Sequence, residues 1–396
     1  MNQLTVALLV AFVATPFAAQ SPQDVLDALN RADAGRADTT RASMRANDAP
    51  PDARKLDGIE PLVTQAIAEK KLPGAVVLVG RGVRTLYQKA IGNRVVTPAA
   101  EPMTLDTVFD LASLTKVVAT TTSVMILVEE GKIRLTDRVS AHVPGFERYG
   151  KGEITIRHLM THVSGLRPDV DLADAWRGSQ TAIDLAIEEV PTSAPGERFV
   201  YSDINYFLLG DIVRRVSGLP LDRFAHDRIF GPLGMKDTMF LPPPSLRERI
   251  APTEGCTPFG WPCQGPDMSM LRGVVHDPTA RRMDGVAGHA GLFSTAADLA
   301  IFCHMLLGGG AYRGIRILSP LAVAKMTTAA TQPGERNVRG LGWDMDSSFS
   351  SNRGELLPLG SFGHTGFTGT SLWVDPATEM FVCSCRTGCT LTARGT

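Results

Sequence analysis

The chain has 396 residues and a formal net charge of −1, with 44% hydrophobic and 20% charged residues. That length is ample for a large core. The balanced charge gives no basic excess for nucleic acid and no block that would mark a solvated tail.

Met1 to Ala19 reads as a signal segment. Leu4 to Ala14 forms its apolar core, and Pro16, Ala18 and Ala19 sit where cleavage would occur, although no Lys or Arg precedes them. A retained membrane anchor is the other reading, on a run short for a full span. Either way the folded part is expected to be exported, periplasmic or extracellular. Residues 20–52, rich in Ala, Asp, Arg and Ser, read as a linker, and the folded domain is expected over 53–396. It opens with a helical pattern from Leu56 to Lys70. The runs Ala75 to Gly80 and Thr85 to Ala90 then read as a hairpin.

The stretch Phe109-Asp110-Leu111-Ala112-Ser113-Leu114-Thr115-Lys116 opens an apolar run with no proline or glycine before Gly131. The run predicts a buried helix, and positions three apart share one helix face. A serine hydroxyl is a weak nucleophile until a base takes its proton. A lysine one turn away can be that base where burial lowers its pKa. From about 125 to 285 the pattern is helical, broken by loops such as Ala194-Pro195-Gly196-Glu197. Within it, Tyr201 precedes a helix that Ser202 or Asp203 can cap. Its apolar face is Ile204, Phe207, Leu208, Ile212, Val213 and Val216, and it ends at Ser217-Gly218.

Cys256 and Cys263 flank a Pro/Gly loop and either bridge in an oxidising compartment or stay free thiols. Cys383, Cys385 and Cys389 fit no zinc spacing, and His276, Asp277 and His289 lie on loops without a helical ligand pair. No metal and no cofactor is therefore expected. His276 is read as a structural hydrogen-bonding residue and His289 as one near the cleft. The run Gly363-His364-Thr365-Gly366-Phe367-Thr368-Gly369-Thr370 leads into a strand at Ser371 to Asp375 that a ligand or another backbone approaches closely. Met380-Phe381-Val382 begins a further strand, but the apolar pattern fails at Cys383. A truncated or frameshifted end is expected, with an unpaired sheet edge and an uncovered apolar face. Strands at both ends with helices between predict an α+β fold.

Ser-x-x-Lys, then Tyr-Ser-Asp, then His-Thr-Gly, in that order, resembles the motif set of the serine β-lactamase and penicillin-binding protein superfamily. The similarity covers roughly 53 to 380. It is closest to the branch with class C β-lactamases, D-alanyl-D-alanine carboxypeptidases and β-lactamase-like esterases. Ile156 to Leu166 and Ala287 to Thr295 are further signatures. The resemblance implies an antiparallel sheet flanked by helices, an inserted helical lobe, and an active site between lobes. It implies Ser113 as acylated nucleophile, Lys116 as base and Tyr201 as proton relay. Asp203, His364, Thr365 and Gly366 would bind substrate, and the Ser113 and Phe367 amides would form the oxyanion hole. Asp203 stands where the family often has Asn, and His364 where it often has Lys. A mostly neutral imidazole attracts a carboxylate less than an ammonium does. These departures shift weight from β-lactamase toward a peptidase or esterase, with a D-alanyl-type peptidase as the leading reading. A β-lactamase, a promiscuous esterase, and a non-hydrolytic penicillin-binding sensor remain as alternatives. The expected partner is a small-molecule or peptidoglycan-derived peptide substrate. No Gly-x-Ser-x-Gly elbow is present, so an α/β-hydrolase is excluded as a motif reading.

Overall fold

A computed structural model describes residues 53–97, 99–253, 270–331, 335–350 and 352–387. The signal segment, the linker before residue 53, Cys256, Cys263 and Cys389 lie outside the described residues.

The first regular elements make one side of the sheet. Helix α1 (Ile59–Ala68) lays Ile59, Val63, Ala66 and Ile67 on Ala75 and Val77 of strand β1 (Gly74–Arg81). Side chains alternate between faces along a strand, so Val76 and Leu78 point the other way, into the main core. The predicted hairpin forms between β1 and β2 (Arg84–Val95). The short strand β3 (Glu101–Pro102) closes this edge.

The apolar run after Ser113 becomes the central helix. It opens as a wide π-type turn over Lys116–Thr121, where the Thr122 hydroxyl donates to the Val117 carbonyl, 2.9 Å. It then continues as α2 (Thr122–Glu129). Such wide turns inside helices occur frequently at functional sites. Helix α3 (Asp203–Ser217) ends, as predicted, on a left-handed Gly218. Helix α4 (Ala296–Leu307) packs on the inner face of the sheet.

The last segments return to the sheet as β4 (Val338–Arg339), β5 (Asp344–Asp346), β6 (Phe362–Thr365), β7 (Ser371–Asp375) and β8 (Met380–Arg386). All neighbours are antiparallel, in the order β3-β2-β1-β8-β7-β6-β5-β4. The first and last strands therefore meet at the centre, where β8 lies between β1 and β7. The expectation that the strand pattern fails at Cys383 is corrected here. Cys383 pairs with Leu372 on one side and Leu78 on the other, and β8 runs on to Arg386, paired on both sides through Ser384 and with β1 alone at Cys385 and Arg386. Cys383 and Cys385 are buried on the core face, with Cys383 Sγ 3.9 Å from Cys303 Sγ. A buried thiol packs as a small hydrophobe, which is why the pattern continues through residues that read as a break. The predicted helical lobe between about 125 and 285 also carries one short strand, Met239–Phe240. It joins Phe109–Asp110 and Leu292–Ser294 in a small second sheet beneath Ser113.

Candidate active site

Ser113 sits in a single 3₁₀ turn, Ala112–Leu114, between the small sheet and the central helix. Ala112 holds a positive φ of 45°, a conformation that costs energy for any residue with a Cβ. Asp110 braces the turn. One carboxylate oxygen accepts from the Ala112 amide at 2.8 Å and the other from the His276 amide at 2.6 Å. Burial pushes the Asp110 carboxyl up to about 6, against the pull of those two amides. On the far side, the Leu111 amide donates to the Leu292 carbonyl and the Leu292 amide to the Thr115 hydroxyl.

Lys116 is fully buried, and its Nζ has three acceptors. Ser113 Oγ lies at 3.0 Å, the His289 carbonyl at 3.2 Å and Asp203 Oδ1 at 2.6 Å. An ammonium has three protons to give, so this geometry is that of a charged lysine. Burial works to lower its pKa, but Asp203 and Tyr201 outweigh burial and raise it. The expectation that burial makes Lys116 a ready base is therefore corrected: the carboxylate at position 203 holds the proton on. Asp203 is also not the helix cap. Ser202 occupies the cap position without a side-chain cap bond, its hydroxyl donating instead to the Arg167 carbonyl at 2.6 Å.

The His289 carbonyl reaches Lys116 because of Gly288. A Cβ there would lie 2.0 Å from the Tyr206 carbonyl oxygen of α3. The Gly288 carbonyl itself accepts from Thr120 at 2.7 Å. His289 Nε2 lies 2.9 Å from Asp277 Oδ1. Burial opposes the imidazolium, but Asp277 and Asp203 raise the His289 pKa; His289 in turn holds Asp277 low against its own burial. Asp203, Asp277 and His289 bring ligand-type atoms within 4.8 Å of one another. The Lys116 ammonium already supplies the positive charge that balances this group.

Tyr201 stacks on His162, centroids 4.4 Å apart, and packs on Phe349 at 4.8 Å. Two cations face its ring, Lys116 Nζ at 4.9 Å and the Arg339 guanidinium at 5.7 Å. His162 accepts from the Ser202 amide at 3.0 Å through Nδ1, and burial holds its pKa well down. It is thus a neutral platform that fixes the loop bearing Tyr201.

His364 is not aimed at solvent. It is 3% exposed, and Nδ1 lies 2.8 Å from the Thr365 carbonyl, which fixes the tautomer with Nδ1 as donor. Burial, then Arg339 and Lys116, hold its pKa well below the ordinary value. The expectation of a His364 ring facing a substrate carboxylate is corrected: the ring is buried and neutral. The turn that follows is lashed to the nucleophile. Thr368 donates to the Asp110 carbonyl at 2.7 Å and Thr370 to the Leu111 carbonyl at 3.1 Å. A Cβ at Gly366 would lie 2.3 Å from Thr370 Oγ1 and 2.5 Å from the Leu111 oxygen. Only glycine lets the two turns meet, and their meeting brings the Phe367 and Ser113 turns side by side. The Phe367 ring stacks on His276 at 5.2 Å.

The beta-lactamase family model matches residues 59–383. The chain belongs to that family. It is 33% identical over 364 residues to a provisionally named D-alanyl-D-alanine carboxypeptidase of Salmonella heidelberg, covering 84% of this chain and 82% of the relative. Among solved structures it is similar to an octameric penicillin-binding protein homologue from Pyrococcus abyssi. That match has a TM-score of 0.66 and 25% identity, over 85% of this chain and 74% of the other. It also resembles a penicillin-binding protein homologue from Caulobacter crescentus, with TM-score 0.68 and 20% identity, over 86% and 93%. This beta-lactamase-family chain is thus a serine hydrolase on the penicillin-binding protein fold. Asp110, His162, Asp277 and Arg339 carry no role in the motif reading. Three of them lie in stretches the sequence marked for other reasons: Asp110 in the Ser113 stretch, His162 in the Ile156 to Leu166 signature, and Asp277 beside His276.

Proposed function

We propose that this chain is a D-alanyl-D-alanine carboxypeptidase or a closely related D-peptidase working through an acyl-enzyme on Ser113. The observation that carries the reading is the continuous contact from Ser113 Oγ through Lys116 Nζ to Asp203 Oδ1, 3.0 and 2.6 Å. Together with the His364-Thr365-Gly366 turn locked against it, this supports nucleophilic catalysis. In acylation, Ser113 Oγ bonds to the carbonyl carbon, and the developing oxyanion meets the Ser113 and Phe367 amides. Lys116 passes a proton to Asp203 and accepts the one from Ser113. The bond to the leaving residue breaks, and Tyr201 conducts the proton now on Lys116 to the departing amine. Water then attacks the ester, its proton passing through Lys116 to Ser113 Oγ, and Asp203 returns its proton to Lys116. Export to the periplasm or cell exterior fits a cell-wall peptide substrate and belongs to the same proposal.

The second reading is a β-lactamase or carboxylesterase. The esterase form of it is favoured by His364, which is buried where a charged residue would attract a carboxylate. Steady-state turnover of a peptide ending in D-Ala-D-Ala, a cephalosporin and a p-nitrophenyl ester separates the readings. Peptide turnover at the highest kcat/KM supports the first. Ester or β-lactam turnover without peptide cleavage replaces it, and a long-lived adduct without turnover indicates a sensor.

A further inference from the structure

The buried neutral His364 leaves the His-Thr-Gly strand without a cation, yet the cleft beside that strand is cationic. A cavity of about 550 Å³ runs from Thr365 and Gly366 across the solvent-facing side of β7 and β8. Phe349, which packs on Tyr201, forms part of its wall and ties it to the nucleophile side. Two guanidiniums line it, from Arg353 and Arg386, and no described lining residue is acidic. Arg353 is engaged: it donates to the Met345 carbonyl at 2.6 Å and lies 3.7 Å from Asp346. Arg386 is half-buried, and its guanidinium has no hydrogen bond or ion pair among the described residues.

Arg386 is also held in place. It shares the outer face of the sheet with Ser384, whose cross-strand partner is Ser371. Its stem lies over Gly369, where a Cβ would come within 2.8 Å of Arg386 Cγ and 3.3 Å of Nε. Gly369 belongs to the same turn as Phe367, closed by the bond from the Gly369 amide to the Gly366 carbonyl at 2.9 Å. The guanidinium thus rests on the turn whose amide is proposed to meet the oxyanion. A planar five-donor fork with free donors, beside the Thr365 and Ser371 hydroxyls, matches a carboxylate.

We propose that Arg386 binds a carboxylate of the substrate in this cavity and so makes the enzyme select carboxylate-bearing substrates. The assignment rests on the acyl-enzyme reading above. It places the specificity cation on β8, the strand whose sequence looked damaged.

The test uses the full-length enzyme and two matched substrate pairs. One is an acyl-D-alanyl-D-lactate depsipeptide and its methyl ester, which carry or lack a carboxylate on the leaving group. The other is a succinyl and a butyryl p-nitrophenyl ester, which do the same on the acyl side. Wild-type enzyme is expected to prefer the acid of one pair. Arg386→Gln is expected to reduce that ratio of kcat/KM values about tenfold to hundredfold, the worth of a hydrogen bond to a charged group. Arg386→Lys, which keeps the charge, should retain part of the preference and controls for a folding defect. The pair that responds tells whether the carboxylate is on the leaving group or the acyl chain. A ratio unchanged within twofold in Arg386→Gln, for both pairs, overturns the assignment. If folded wild-type enzyme turns over none of the esters, the hydrolase reading fails separately. Calorimetric binding of acetyl-D-Ala-D-Ala and its amide to Ser113→Ala, with and without Arg386→Gln, then decides the role of Arg386.

Discussion

Asp203→Asn should move the acid limb of the kcat/KM profile to lower pH. The carboxylate lies 2.6 Å from a lysine nitrogen that is itself fully buried, and its own side chain is 23% exposed. With an effective dielectric of about 20, two unit charges at that distance attract by roughly 6 kcal/mol. Water and neighbouring dipoles will recover much of that when the charge is removed. Each 1.36 kcal/mol that remains is one pH unit, and a contact charge typically shifts a partner by about 1–3 units. The sign follows from which form Asp203 favours. It stabilises the ammonium, so its loss makes the free amine available at lower pH. The limb is therefore expected to shift by at least about one pH unit toward acid. The assay is ester hydrolysis by wild type and mutant from pH 4 to 10, with the mutant's fold checked by circular dichroism. A limb at the same pH in both proteins refutes the idea that the Lys116–Asp203 pair governs formation of the base.

Gly366→Ala forces a Cβ against the Leu111 carbonyl and Thr370. Pushing the two turns apart should lower kcat about 10²- to 10³-fold, as loss of an oxyanion donor does, and should lower the melting temperature too, because the Thr368 and Thr370 bonds to the Ser113 turn are strained with it. Asp277→Asn removes the partner of His289. Asp277 is depressed in the fold, so its contribution is present above the ordinary carboxyl value of 3.8 and fades as pH falls through the folded value. His289 is raised, so its contribution is complete below 6.5 and is lost as pH rises through the folded value. The difference in melting temperature between wild type and mutant should therefore be largest between those two pH values and shrink on either side. A difference independent of pH contradicts the pairing. His364→Lys buries an ammonium near Arg339 and Lys116, so it should lower the melting temperature by several degrees, measured by thermal denaturation, and should not improve penicillin binding.

The order of the candidate site's motifs was legible because their spacing is local. Ser113 and Lys116 are one turn apart, Tyr201 precedes a helix with a clear apolar face, and His364 opens a glycine-punctuated turn into a strand. What the sequence did not show depends on contacts between distant segments. Nothing near Asp203 in sequence says that it meets Lys116, because the two helices meet only through the fold. The surroundings of His364 include the Tyr201 ring, 6.2 Å away between centroids, and the Arg339 charge, both brought in by the fold. At the C-terminus the expected break in the strand at Cys383 failed for a compositional reason. Cysteines at alternate positions read as a break in an apolar strand, yet they fill the core face of β8 while Val382, Ser384 and Arg386 take the other face. Period-two alternation was present, and cysteine was not counted among the apolar residues that carry it.

The account rests most directly on Ser113 as the acylated atom. Full-length protein incubated with a penicillin or an activated ester, quenched and digested, should carry the acyl mass on the peptide containing Ser113. Ser113→Ala should show neither adduct nor turnover, and Lys116→Ala should be nearly as inactive, because members of a nucleophile–base unit act together. An adduct on any other residue, or substantial hydrolysis by the purified Ser113→Ala protein, contradicts the account.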